Sequence, residues 1–482
     1  MDVLPNFIAG RWASGASTIE NRSPSDVEDC VGLYAQATVD DVHAAAAAAQ
    51  AAQPRWAATG LEARAAVLDA VGRELMARSA ELGRLLSREE GKTLAEGVGE
   101  VYRSGQFFTY YAGEALRILG DTADSVRSGV EIAVTREPLG VVGIVSPWNF
   151  PMATAAWKIA PALAFGNGVV WKPANATPAS AHALTEIIAR QAIPDGLFNL
   201  VMGPGAELGH ALAATADVQG ISFTGSCETG QAVAAAAAPR FVKLQLEMGS
   251  KNPLVVMDDA DLDRAVDIAV NGAFGGTGQK CTASSRLIVH RPIHDAFVEA
   301  LVKRARALRV GHALDADSQM GPVVSAGQLA ADLRYVALAR EEGGEIACGG
   351  ERVEARTEGF YMAPTVVLNT ASRMRVNQEE MFAPITCVIP AGDLDEAIAL
   401  ANDTRFGLTA GIATRSLARA TRFRRASRSG CVMVNLPTAG TDYHVPFGGV
   451  RGSSYGPREQ GRNAVEFYTQ AKTAYIHAGE PV

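Results

Sequence analysis

The chain has 482 residues, 48% of them hydrophobic and 20% charged, with a formal net charge of -8 at pH 7. Disordered chains are poorer in apolar residues, and this length exceeds a single ordinary core, so two or more folded domains are expected. An acidic balance gives no electrostatic reason to bind nucleic acid. The one short basic run, Arg422 to Arg428, reads as the solvated face of a helix. No window approaches 18 uninterrupted strongly apolar residues, and the first residues lack the basic, apolar and small-residue succession of an export signal, so a cytoplasmic protein without membrane or nucleic-acid partners is expected. The six cysteines show no CxxC pair and no metal-ligand spacing with histidine; reduced thiols and no metal are expected.

From Asp40 to about Tyr111, Ala, Leu and Val recur at three- and four-residue spacing, which predicts helix. "GDTADSVRSGVEIAVTREPLG", residues 120 to 140, then alternates between Val130 and Val134 and reads as an extended arm or hairpin. A regular succession follows. The apolar runs "VVGIVSP", "GVVWKP", "FNLVMG", "VQGISFTG" and "FVKLQLEMG" are separated by helical stretches, among them residues 179 to 192, 206 to 216 and 228 to 237. Strands alternating with helices of this length imply a parallel, doubly wound sheet, whose ligands lie beyond the carboxyl ends of the strands. That rule selects "SPWNFP", "KPAN" and "FTGSCETG" as site loops.

A second series opens near Pro253 with "PLVVM", a helix over 262 to 273, a glycine-rich loop carrying Cys281, "SRLIVH", a helix over 293 to 308, and later "ITCVIP" with a helix from Leu394. The tail "AVEFYTQAKTAYIHA" is extended and suited to adding an edge strand to another subunit. The expected fold class is therefore α/β. It comprises a doubly wound cofactor-binding domain over 1–119 and 137–248, a second such domain carrying the reactive loop over 249–460, and a small β oligomerisation arm and tail over 120–136 and 461–482.

Several residues in these loops carry chemistry or a plainer role. "GPGAELG", with Gly205, is GxGxxxG rather than the dinucleotide fingerprint, and a lone glycine pattern of this kind reads first as a plain turn. Gly225 and Ser226 precede a helix whose N-terminal amides suit a pyrophosphate, or Ser226 simply caps that helix. Lys172 at a strand end suits ribose hydroxyls or phosphate, or is a surface lysine. Asn149 either donates to a developing oxyanion or makes a turn. Glu247 either acts as a buried general base or is ion-paired. Cys281, in "GGTGQKCTASS", is a nucleophile or a small apolar filler.

The order of "SPWNFP", "WKPA", "FTGS", "LEMGSKNP", "GQKCTASSR", "EEMFAP" and "PFGG" resembles the aldehyde dehydrogenase superfamily from about Phe7 to Tyr475. The resemblance implies NAD(P)-dependent, non-acylating oxidation of an aldehyde to an acid, in a homodimer or homotetramer. It implies Cys281 as nucleophile, Asn149 and the Cys281 N–H as oxyanion donors, and Glu247 as the base for thioester hydrolysis. It also implies a cofactor site built from Ser146, Pro147, Trp148, Lys172, Asn175, Gly205, Gly225, Ser226, Glu380 and Phe382, with Glu459 on a proton path. "TDYHVPFGGVRGSSYGPREQG" is similar to bacterial alpha-ketoglutaric semialdehyde dehydrogenases, which implies 2,5-dioxopentanoate as substrate, with broad-specificity and succinic semialdehyde enzymes and a catalytically silent relative as alternatives. Arg103 and Lys280 are candidate cations for an anionic substrate, and Met152, Trp157, Tyr443 and Phe447 candidate pocket walls. Two departures stand out. Ser250 replaces a glycine beside Glu247, and Asn175 stands where many NAD-preferring members carry glutamate, which admits NADP as well as NAD.

Overall fold

The computed structural model describes residues 2–479; the first residue of the expected cofactor-binding segment and the last three of the expected tail lie outside it. The long helical region is four helices, α1 Val39–Ala57, α2 Leu61–Ala77, α3 Ser79–Glu90 and α4 Leu94–Ala115. Local chemistry cuts them. Thr38 and Asp41 form a capping box at the start of α1, and Gly91, at φ +101°, ends α3 in the left-handed region that glycine adopts without strain.

Two sheets carry the molecule. In the first, strands Lys243–Glu247, Gly220–Thr224, Val141–Val145, Gly168–Lys172 and Phe198–Leu200 run parallel in that spatial order. Strands Val141–Val145 and Gly168–Lys172 are almost wholly buried, as expected of a parallel sheet covered on both faces. The covering helices include α5 Ala153–Ala164, α6 Pro178–Ala189, α7 Gly205–Ala214 and α8 Cys227–Ala237. The antiparallel hairpin Asn6–Ile8 and Arg11–Ala13 closes one edge. The strand Ser454–Tyr455 closes the other, although it lies in the stretch expected to belong wholly to the second sheet's domain.

Among the described residues the second sheet has seven strands, centred on Ile385–Ala391, Ser284–His290 and Asn252–Val256, with Thr409–Ala413 beside the last of these. Sequence patterning misses Thr409–Ala413, because "TAGIA" has small side chains and little β-branched character, yet every residue in it is buried. The basic run lies largely on the helix Leu417–Ala426, whose arginines stand on an exposed face.

The arm is a three-stranded antiparallel sheet of Asp121–Asp124, Val130–Pro138 and Thr469–His477. The tail strand pairs along one side with its own chain and forms the outer edge of this sheet. Its nine residues register against Val130 to Pro138. All but Thr469 are exposed.

Candidate active site

Three loops converge where the two sheets meet. Asn149 lies in the turn between strand Val141–Val145 and α5, and Glu247 ends its strand. Cys281 follows a tight turn after helix α9, Leu262–Phe274. In that turn Gly276, Thr277 and Gly278 all have positive φ, and a Cβ at Gly278 would stand 2.1 Å from the Ala383 carbonyl. Only glycine fits that approach. Asn252 Nδ2 donates to the Cys281 carbonyl at 2.7 Å. The buried Asn149 Nδ2 donates to the Gln279 carbonyl at 2.9 Å, which ties the amide to the cysteine loop two residues before the sulfur.

Burial, reinforced by the carboxyl groups of Glu380 and Glu247, pushes the Cys281 thiol far above its ordinary range. In the free protein the sulfur is therefore a neutral thiol that needs a base or a new cation to become nucleophilic. Burial and then Glu459 hold the Glu247 carboxyl well above the usual carboxylate range, and Ser454 Oγ donates to it at 2.5 Å. A carboxyl raised this way is suited to exchange a proton near neutral pH.

Behind Glu247 lies a polar network that sequence reasoning found only in Glu459. Lys158, completely buried, forms an ion pair with Glu459 and donates to Ser222 Oγ at 3.0 Å. Ser222 in turn donates to Gln245 at 2.8 Å. Among the described residues Glu459 Oε2 has no hydrogen-bond partner. The overlooked signal was Lys158 as the lone charge in the otherwise apolar helix "ATAAWKIAPALA".

Beyond the strand ends of the first sheet, a cavity of about 460 Å³ is lined by Ser146, Lys172, Gly205, Gly225, Ser226 and residues of α7 and α8. Its chemistry fits a dinucleotide. Lys172 is buried with no ion pair or hydrogen bond from its amine among the described residues, and burial alone lowers its pKa to about 8. Thr224 Oγ1 is a second orphan there. Such groups await hydroxyl or phosphate oxygens. Ser226 caps α8, accepting from the Thr229 N–H at 3.2 Å, so the capping role is real, and the same turn lines the cavity. Ser146 Oγ accepts from Trp171 Nε1 at 2.8 Å. Pro147 and Trp148 are half-buried in the following turn. Trp148 meets Phe382 edge-on at 5.4 Å, and Glu380, half-buried beside Gly249, has its carboxyl raised to about 7 by desolvation. Asn175 is not among the lining residues; its neighbour Ala174 is.

Two expectations need correction, and the Ser250 departure proves benign. Met152 is 0% exposed and packs in the core under α5, so it forms no accessible wall. The Lys280 amine turns to Glu96, 3.4 Å away, and is not a free cation. Ser250 raises no conflict with the backbone, because its N–H donates to Glu380 at 2.8 Å, its hydroxyl donates to Asn252 at 2.7 Å, and its φ is not positive. The remaining candidates form an aromatic wall. Trp157 meets Phe447 at 5.8 Å and Phe107 at 5.6 Å, Phe107 meets Tyr443 at 6.3 Å, and the Arg103 guanidinium lies over the Tyr443 ring at 5.4 Å.

A partly exposed thiol whose loop is tied to an amide donor, a raised carboxyl and a cavity at the carboxyl ends of a parallel sheet together suit a dehydrogenase that works through a covalent cysteine adduct. The aldehyde dehydrogenase family model matches residues 12–474, and the chain belongs to that family. It is 40% identical over 476 residues to the alpha-ketoglutaric semialdehyde dehydrogenase of Bacillus subtilis (strain 168), covering 98% of this chain and 97% of that protein. It is 37% identical to the 2,5-dioxopentanoate dehydrogenase of Saccharolobus solfataricus, covering 97% and 98%. A solved structure of betaine aldehyde dehydrogenase from Staphylococcus aureus in complex with NAD+ matches with a TM-score of 0.96 at 33% identity, covering 99% of this chain and 95% of that one. No helix among the described residues is long and apolar enough to cross a membrane.

Proposed function

We propose that the protein oxidises a small semialdehyde acid, of the 2,5-dioxopentanoate kind, to the corresponding dicarboxylate with NAD or NADP. The observation that carries the reading is the tie between Asn149 and the Cys281 loop, with buried Glu247 at the neighbouring strand end. Cys281 Sγ adds to the aldehyde carbon, and its proton leaves to a carboxylate or water. The oxyanion that forms accepts from the Asn149 amide and the Cys281 N–H, donors whose loss typically slows such reactions by about 10²- to 10³-fold. NAD or NADP, when bound, supplies the hydride acceptor that converts the adduct to a thioester. Glu247 then takes a proton from the water that attacks the thioester, and Lys158 with Glu459 passes it onward. Lys172 and Glu380 hold the ribose hydroxyls, and the α8 turn at Ser226 holds the pyrophosphate. The segment around the first sheet serves the cofactor and that around the second the nucleophile. The exposed arm joins subunits, which sedimentation would test by its removal.

A second reading comes from the aromatic wall of Trp157, Phe447 and Tyr443, which resembles what a quaternary ammonium prefers, so a betaine-type aldehyde is the competing substrate. Arg103 argues against it, because a guanidinium already lies on the Tyr443 face and repels a second cation. Nucleotide reduction should therefore be followed with 2,5-dioxopentanoate, succinic semialdehyde, betaine aldehyde and simple alkanals. The semialdehyde acids should show the highest kcat/KM; a preference for betaine aldehyde or an alkanal would overturn the substrate reading.

A further inference from the structure

The junction between α3 and α4, "EEGKTLAEGVGE", touches neither the cofactor cavity nor the thiol, yet it holds the loop that carries Asn149. Lys92 Nζ donates to the Asn149 carbonyl at 2.6 Å and to Glu100 at 2.6 Å. The other Glu100 oxygen accepts the Met152 N–H at 3.0 Å and the Ala153 N–H at 3.1 Å. Lys92 also stands over the Phe150 ring at 4.2 Å. Both charged side chains are almost wholly buried. One cation and one carboxylate thus grip the turn at Asn149, Phe150, Met152 and Ala153, the last part of the passage into α5. The same junction reaches the other loop, where Glu96 accepts the Gly276 N–H at 2.7 Å.

A buried ion pair is a weak device for stability, because desolvation offsets most of its attraction. It is a strong device for direction, since each partner carries several hydrogen-bonding sites with fixed geometry. Lys92 grasps the backbone oxygen of the very residue whose side chain faces the cysteine loop. Rotation of that peptide would swing the Asn149 amide away from the Gln279 carbonyl.

We infer that Lys92 and Glu100 are positioning residues for the oxidation step, fixing the Asn149 amide where the oxyanion forms. This rests on the reading of Asn149 as oxyanion donor. The test is a cycle of the full-length enzyme with Lys92→Met, Asn149→Ala and the double variant. It measures kcat and KM for aldehyde, the cofactor Kd by fluorescence, and Tm. Lys92→Met should lower kcat by about 10- to 100-fold with aldehyde KM and cofactor Kd little changed, the size expected when a reacting group is displaced by about 1 Å. In the double variant kcat should equal that of Asn149→Ala alone, because a residue that acts only through Asn149 has nothing left to position. A purely structural Lys92 would instead multiply its loss of kcat with that of Asn149→Ala. Multiplied losses, or an unchanged kcat in Lys92→Met, would overturn the inference. An unchanged kcat in Asn149→Ala would overturn the oxyanion reading itself. Should Lys92→Met fail to fold, Glu100→Gln keeps the side-chain volume and one acceptor for the α5 amides, and the same cycle with Asn149→Ala decides on the same outcomes.

Discussion

Lys92 and Lys172 are equally buried, at 4% and 3% exposed, but they stand in opposite surroundings. Burial works against the charge on Lys92, yet Glu100 and Glu90 outweigh it and raise the pKa. Burial alone acts on Lys172 and lowers its pKa to about 8. The anions that keep Lys92 charged are built into the fold, whereas those that suit Lys172 must arrive with a ligand. A buried cation with its partners present is scaffolding; one without them faces a site.

The sharpest way to separate ligand binding from chemistry is to remove the sulfur. Cys281→Ala should reduce NADH formation by on the order of 10⁴-fold or more while cofactor binding at Lys172 persists, as seen by nucleotide fluorescence. Glu247→Gln should slow steady-state turnover by about 10²- to 10⁴-fold, leaving a first-turnover burst of reduced nucleotide because only thioester hydrolysis needs the base.

The two lysines can then be set directly against each other. Lys172→Met should weaken cofactor binding by about 10- to 100-fold, the value of a charge-assisted hydrogen bond, and should leave Tm unchanged or higher. Lys92→Met leaves Glu100 buried without its cation and should cost about 3 to 5 kcal/mol in denaturant unfolding. Equal effects of the two substitutions on Tm would break the comparison. The sign of the pH dependence follows from the same difference. Lys172 is protonated below its pKa of about 8 and neutral above it, so cofactor affinity should fall as pH rises through 8 in titrations at fixed ionic strength. Alkylation of Cys281 in the cofactor-free enzyme should rise with pH without levelling near the ordinary thiol value of 9.0, because burial and Glu380 hold the proton on.

The smallest effect is expected at the mouth of the pocket. Arg103→Ala should lower kcat/KM for a semialdehyde acid by about 10-fold, within the range of a charged hydrogen bond, and leave alkanals unaffected.

Much of this arrangement was legible in the chain. The alternation of strands and helices from Val141 to Glu247 is a local pattern, and the rule that ligands gather at carboxyl strand ends pointed to the loops of Asn149, Lys172 and Gly225. The motifs placed Cys281 among glycines, and Gly278 shows why, since the chain passes against Ala383 without room for a side chain. Other features were invisible because they depend on partners distant in sequence. Met152 and Lys280 look like pocket residues from their neighbours in the chain, but packing under α5 and pairing with Glu96 withdraw them. Lys158 and Glu459 are 301 residues apart, and no local spacing announces their ion pair.

The sequence by itself determined the family, the alternation of strands and helices in the first sheet's core and the identities of thiol, amide and carboxyl, because side-chain chemistry and hydrophobic period are properties of short stretches. Only the tertiary structure decided that burial and nearby carboxyl groups raise the thiol's pKa, that the Lys172 amine has no partner among the described residues while Lys92 is held, and that the tail pairs with its own arm. Each of these depends on which atoms, charges and water the folded chain brings to one place, and no short stretch of sequence states that.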